Sequence, residues 1–373
     1  MIQPPSQTPP TSSTSELNLP PWLERQLATL LSQRGHAWLL EGPSGLGQYR
    51  LALALARAWL CDQPVRDAAG HIQAACGTCD SCHAVDVRTH ADLAVLMPET
   101  VAMALNWPLS EKAQSEIDDK KRKPSKEIRV EALRDVVEFS QRTAGRAQGK
   151  VVLVFPAEHM NGIAANTLLK TLEEPAGHLR FILASENAQA LLPTIRSRCQ
   201  SHPMRWPDPA EALAWLREQA PSATPDKTLS KLLRATGGRP QDASDLLNAG
   251  PSIDPWIQAW SQLPQHLAKG QPGLLTEATP PQAVAMLQKV CHDLMVQAAG
   301  GTPRYFDASD LPAAKSERGI AANAESASQR WMALNAWARD LNQSAQTADH
   351  AFNPGLMLEA LVSRAQTAIQ ASI

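Results

Sequence analysis

The string GPSGLGQY, Gly42 to Tyr49, joins the short apolar run Ala37 to Leu40 to the apolar-rich run Leu51 to Leu60. A glycine-rich turn between a strand and a helix is the start of an α/β unit, and it is where a phosphate-binding loop sits. Three more runs read as strands: Leu93 to Leu96, Val151 to Phe155 and Phe181 to Ala184. Helical patterns at Val130 to Arg142 and Ile163 to Leu172 alternate with them, as a parallel sheet covered on both faces requires.

That sheet does not account for the whole chain. With 373 residues, 43% of them hydrophobic, there is material for about two or three cores. Strand signals stop after Pro203, and Pro207 with Pro209 opens a helical segment that runs to about Ala249 and is closed by Gly250 and Pro251. From Trp256 onward the pattern is helical again, with Leu334, Ala338 and Leu341 on one face and Leu358, Leu361 and Val362 on a helix after Pro354 and Gly355. The expected organisation is a frayed N-terminus over 1–20, an α/β nucleotide-binding-like domain over 21–204, a small helical lid over 205–250 and an all-helical domain over 251–373. Glu111 to Glu127, poor in apolar residues and carrying the Lys120 to Lys123 basic run before Pro124, reads as a solvated insertion loop.

A net charge of −2 excludes a protein whose main task is to coat nucleic acid, so any DNA contact is local. Pro, Ser and Thr dominate the first twenty residues, without a basic or apolar signal region, and no run is apolar enough to span a bilayer. A soluble, cytoplasmic protein is expected.

A working phosphate loop needs backbone N–H groups at a helix N-terminus, a lysine for the terminal phosphates and a Ser or Thr for magnesium. Gly42, Gly45 and Gly47 keep the backbone requirement, but Gln48 stands at the lysine position and Tyr49 at the hydroxyl position. Taken alone, GPSGLG could be an ordinary turn. The strand Val151 to Val154 repeats the loss: Phe155 and Pro156 precede Ala157 where an Asp and a Glu would hold magnesium and orient water. Glu158 is the one acid near enough to be considered a substitute.

Cys76, Cys79 and Cys82 form CGTCDSC, and Cys61 ends the helix after the glycine loop. Four thiolates complete a closed tetrahedral zinc shell, with no position left for a reacting water. His71 and His83 lie nearby, but the cysteines suffice. Structural zinc is expected, against the alternative of free or redox-active thiols.

Three further stretches carry a family likeness. TIRSRC, Thr194 to Cys199, and NTLLKTLEEP, Asn166 to Pro175, resemble the bacterial DNA polymerase III clamp-loader subunits of the AAA+ family, as does HAFNPGLMLEAL, His350 to Leu361, in a collar domain. The likeness runs from about Trp22 to Ala243. It is low over Met97 to Lys126 and Gly301 to Gln329.

The resemblance implies an AAA+ fold of P-loop NTPase type with lid and collar. It also implies a place in a hetero-pentameric ring with gamma/tau ATPase subunits and a delta subunit, which loads a sliding clamp on primed DNA. By it, Arg198, turned by Ser197 and Cys199, is an arginine finger that reaches the ATP of a neighbour. In TGGRPQDA, Thr236 to Ala243, it places Gln241 where ATP-using relatives carry a sensing arginine, with Arg239 close by. The losses at Gln48, Tyr49, Phe155 and Pro156 point to the member of the ring that does not hydrolyse, with ATP binding not expected. Two rivals remain at this stage: an active ATPase using unusual residues, and a zinc-dependent nucleic-acid module outside any clamp loader.

Overall fold

In the computed structural model residues 19–250, 253–312, 324–348 and 353–372 are described. The expectations for residues 1–18, for Pro251 as a closing residue and for His350 to Phe352 fall outside them. The chain forms two compact units, one over the described part of Gln7–Pro207 and one over Asp208–Ile373.

The first unit is built on a five-stranded parallel sheet. Its strands are β1 (Ala37–Glu41), β4 (Leu93–Leu96), β5 (Lys150–Val154), β6 (Leu179–Ser185) and β7 (Gln200–Pro203), ordered β4-β5-β6-β1-β7. Trp38 pairs with Ile182 and Gln200, and Val152 with Ala94 and Phe181.

Because side chains alternate across a strand, each nearly all-apolar strand supplies both faces. Leu39, Val152, Val154, Phe181 and Leu183 pack with Leu133, Val136, Leu168 and Leu172 of helices α6 (Val130–Gln141) and α7 (Gly162–Glu173). Helix α2 (Gln48–Leu60), buried along almost its whole length, lies against β5 and β6, with α1 (Pro21–Ser32) beside it. Proline at the first position of α1 fits there, since that N–H would have no helical partner.

Between α2 and β4 lies a small module: strands β2 (Val65–Arg66) and β3 (Ile72–Ala74), paired antiparallel, and helix α3 (Asp80–Asp86). The loop expected over Glu111 to Glu127 is corrected by the structure, which forms α5 (Glu111–Asp118) there, after a further short helix α4 (Glu99–Ala104). Ser110 caps α5 by accepting the Ala113 N–H at 3.3 Å, and Ala113 is buried. Arg122 then ties the segment down, donating to Glu99 at 2.5 and 2.8 Å and to Glu116 at 2.7 Å. Charge pairing, not an apolar stripe, holds this region, so hydrophobic periodicity gives no sign of it. β7 escapes a sequence reading for a similar reason: of Gln200, Ser201, His202 and Pro203 only His202 is buried, on an edge strand.

Short helix α8 (Pro193–Arg196) precedes β7 in the first unit, and the second unit is helical: α9 (Pro209–Gln219), α10 (Asp226–Ala235), α11 (Pro240–Asn248), α12 (Asp254–Ala268), α13 (Pro280–Ala298), α14 (Ala324–Thr347) and α15 (Pro354–Ser372). Leu216, Leu229, Leu232 and Ala243 centre one core, and Leu263, Leu287, Val290, Leu334 and Ile369 the other. Fully buried Asp293 fastens the loop after α13, accepting N–H groups from Arg304 at 2.9 Å, Tyr305 at 2.7 Å and Phe306 at 2.9 Å. Among the described residues no helix is long and apolar enough to cross a membrane.

Candidate functional site

The glycine loop spans the carboxyl end of β1 and the first turn of α2, the crevice where α/β sheets hold ligands. Gly45 (φ 80°) and Gly47 (φ 90°) take left-handed conformations, and a Cβ on Gly47 would stand 2.7 Å from Leu23. Gln48, only 2% exposed, turns inward and donates its amide N–H groups to the carbonyls of Gly42 at 2.6 Å and Pro43 at 2.8 Å. Its side chain fastens the loop to itself.

Tyr49 is buried, and its hydroxyl accepts the indole N–H of Trp107 at 2.6 Å. Its ring lies 5.4 Å from that of Phe155, which follows β5. Two aromatic rings thus pack on each other at the end of β5, with the indole of Trp107 holding the phenol. Ala157 is fully buried. Glu158, in the 3-10 turn Ala157–His159, accepts the N–H groups of Glu186 at 2.9 Å and Asn187 at 3.1 Å, bracing the end of β6. Trp107 lies in the segment of low family likeness, and nothing in the sequence connects it to Tyr49.

The SRC turn follows the four-residue α8. The Ser197 hydroxyl donates to Thr194 O at 3.2 Å, and half-buried Cys199 packs on the core below, its thiol pushed by burial up to about 12. Arg198 stays at the surface. Its Nη1 donates to Thr194 O at 2.8 Å, and its Nε and Nη2 meet the Glu173 carboxylate at the end of α7. The sequence brings Arg198 forward but not this partner. Arg239 pairs with Asp242 at 2.9 Å and donates to Thr236 O at 2.8 Å, while Gln241 donates to Asp245 at 3.0 Å.

Cys61, Cys76, Cys79 and Cys82 come together. Their sulfurs stand 3.4 Å (Cys61 to Cys76), 3.8 Å (Cys61 to Cys79) and 4.0 Å (Cys76 to Cys82) apart, all within 4.8 Å of one another. Thiolates around a tetrahedral zinc, each about 2.3 Å from the ion, stand roughly 3.8 Å apart, so the spacing fits such an ion. The Cys79 sulfur accepts the Cys82 N–H at 3.4 Å, and the Cys61 sulfur accepts that of Cys76 at 3.3 Å. The Thr78 N–H draws the Cys76 thiol down to about 6, while burial pushes those of Cys82 and Cys61 up. Of the nearby histidines, His71 contacts Asp67 at 3.4 Å, and neither it nor His83 belongs to the cluster.

Behind the cysteines lies a polar chain not read from the sequence. The Asp92 N–H donates to His90 Nδ1 at 3.0 Å, so the proton of the neutral ring sits on Nε2, facing the Ser81 hydroxyl at 3.2 Å. Ser81 in turn donates to Asp62 at 2.9 Å, and Arg146 closes on Asp62 at 2.8 Å. Asp92 accepts the N–H groups of Gly145 at 2.7 Å and Arg146 at 2.9 Å. The cysteine module is in this way bolted to the β4 edge of the sheet. Within the basic run, Arg122 pairs with its two glutamates and Lys121 with Asp119 at 2.8 Å.

Residues 23–207 match the family described as "DNA polymerase III, delta subunit". The chain is 38% identical to the DNA polymerase III subunit delta' of Pseudomonas aeruginosa, over 62% of this chain and 62% of that one. It is 34% identical to the subunit delta' of Escherichia coli, over 68% of this chain and 66% of the other. The matches to these two relatives thus span a little under two thirds of their length. A DNA polymerase III subunit gamma/tau from Mycobacterium tuberculosis is 31% identical over 57% of this chain and 32% of its own.

Proposed function

The chain belongs to the family of the DNA polymerase III delta' subunits, and from that premise we propose that it is the non-hydrolysing member of a clamp loader and lends an arginine to a neighbouring ATPase. The observation that carries this reading is the state of its own nucleotide crevice. The side chain at the lysine position is bound to the loop, and the positions for the hydroxyl and the acid hold Tyr49 and Phe155 against each other. Phosphoryl transfer rests on positioning and charge stabilisation, and those groups provide neither.

Arg198 supports the other half of the proposal. It is an always-charged planar fork left at the surface by a turn that Cys199 anchors on the core below. In this reading the AAA+ unit, lid and collar sit in a ring with gamma/tau and delta subunits, and the sliding clamp and primed DNA are engaged through that ring. The four cysteines would hold a structural zinc, which supplies a crosslink and no reaction chemistry.

The test is reconstitution with the gamma/tau and delta subunits. The purified chain is expected to show no ATPase, and the assembled loader to hydrolyse ATP in the presence of clamp and primed DNA. An arginine finger is worth about 10³–10⁵ in kcat at the site it serves, so Arg198→Ala should assemble normally and lose turnover at one site. An unchanged rate at saturating clamp and DNA removes the role from Arg198. ATP hydrolysis by the chain alone, abolished by Gly47→Asp, overturns the reading as a whole.

A further inference from the structure

We propose that Glu173 is the positioning residue for Arg198: it holds one edge of the guanidinium so that the opposite edge is presented outward for a phosphate. The inference rests on the arginine-finger reading and adds to it the means by which the side chain is aimed. A guanidinium has five N–H groups, one on Nε and two on each Nη. Nε and Nη2 face the Glu173 carboxylate, and Nη1 gives one N–H to Thr194 O at 2.8 Å. One N–H on Nη2 and one on Nη1 are left, the latter with only a long 3.4 Å approach to Ser197 Oγ. The Nη2 N–H that is left lies on the Nη1/Nη2 edge, the edge whose parallel donors match two phosphate oxygens.

Glu173 and Arg198 come from different elements 25 residues apart, the end of α7 and the turn after α8, so their meeting is set by the fold. Both side chains are also partly open, 46% and 32% exposed, so an incoming phosphate can reach the pair. A free arginine gives up rotamer entropy on being fixed. An arginine already held on two sides has lost most of that freedom before the phosphate arrives. An exposed ion pair of this kind adds little to the stability of the fold. Removing it should therefore leave the chain folded and act on orientation.

The experiment uses the reconstituted loader with clamp and primed DNA, and compares Glu173→Ala, Glu173→Gln, Arg198→Ala and the Glu173→Ala/Arg198→Ala pair. A misaimed catalytic group costs up to about 10²-fold. Glu173→Ala is expected to lower kcat for ATP roughly three- to tenfold, with KM changed less than twofold and assembly unaffected by size-exclusion chromatography. Glu173→Gln keeps an acceptor oxygen and should recover part of the loss. Because Glu173 acts through Arg198, the double variant should be no slower than Arg198→Ala alone. A normal rate in Glu173→Ala beside a slow Arg198→Ala overturns the positioning role and spares the finger. Additive losses in the double variant, or a Glu173→Ala chain that fails to assemble while Glu173→Gln assembles with full loss of rate, assign Glu173 another task and overturn it too. A normal rate in Arg198→Ala removes the finger itself, and this inference with it.

Discussion

Gln48 and lysine can both donate to the carbonyls of Gly42 and Pro43, but only lysine carries a charge that needs an anion. In a position 2% exposed, where the present side chain meets two carbonyls, a Gln48→Lys ammonium would be desolvated against neutral partners. The single substitution should destabilise the first unit by about 1–3 kcal/mol, the usual effect of a badly satisfied buried group, seen as a lower midpoint in urea. It should not bring ATP hydrolysis, since Tyr49 and Phe155 still occupy the other positions; measurable turnover from Gln48→Lys alone would refute that account. The glycine loop and the four cysteines stand out in the sequence by their spacing, and Gln48, Tyr49, Phe155 and Arg198 by the resemblance to the clamp-loader family. Trp107 and Glu173 do not. Each reaches its partner through the fold, 58 and 25 residues away, and no local pattern marks such a contact.

At the level of elements, the strands and helices that bury apolar stripes were legible, and those held by polar contacts were not. β5 and β6 are continuous apolar runs; α5 and β7 are held by a cap, ion pairs and an edge ladder. The cysteine module belongs to both classes, its ligands plain and its fastening hidden. His90 is 6% exposed and accepts the Asp92 N–H on Nδ1, so a second ring proton would face a donor. Burial holds its pKa below the ordinary value of 6.5. The unfolded chain then takes up this proton at a higher pH than the folded one, and stability rises with pH through that window. The first unit should lose stability as pH falls below about 6.5, and His90→Gln should flatten that part of the profile. Thermal midpoints of both proteins between pH 5 and 7 provide the check, and parallel profiles would exclude His90 as the cause.

For the whole molecule, the question is whether the metal site stabilises one unit or the entire chain. The sheet-side core of the first unit lies wholly within 37–195 and the two helical cores within 212–369, and the polar chain behind the cysteines runs only to Asp62, Asp92 and Arg146. Metal binding adds folding free energy to whatever contains the ligands, and a chelator withdraws it there. The chain as purified without chelators should hold one zinc, and Cys79→Ser should lose it. In calorimetry, zinc removal should move one unfolding transition to lower temperature and leave a second, helical one in place. A separately expressed 208–373 segment should reproduce that second transition and ignore the chelator. A single transition that shifts as a whole would mean instead that the units unfold together and that the cysteines stabilise both.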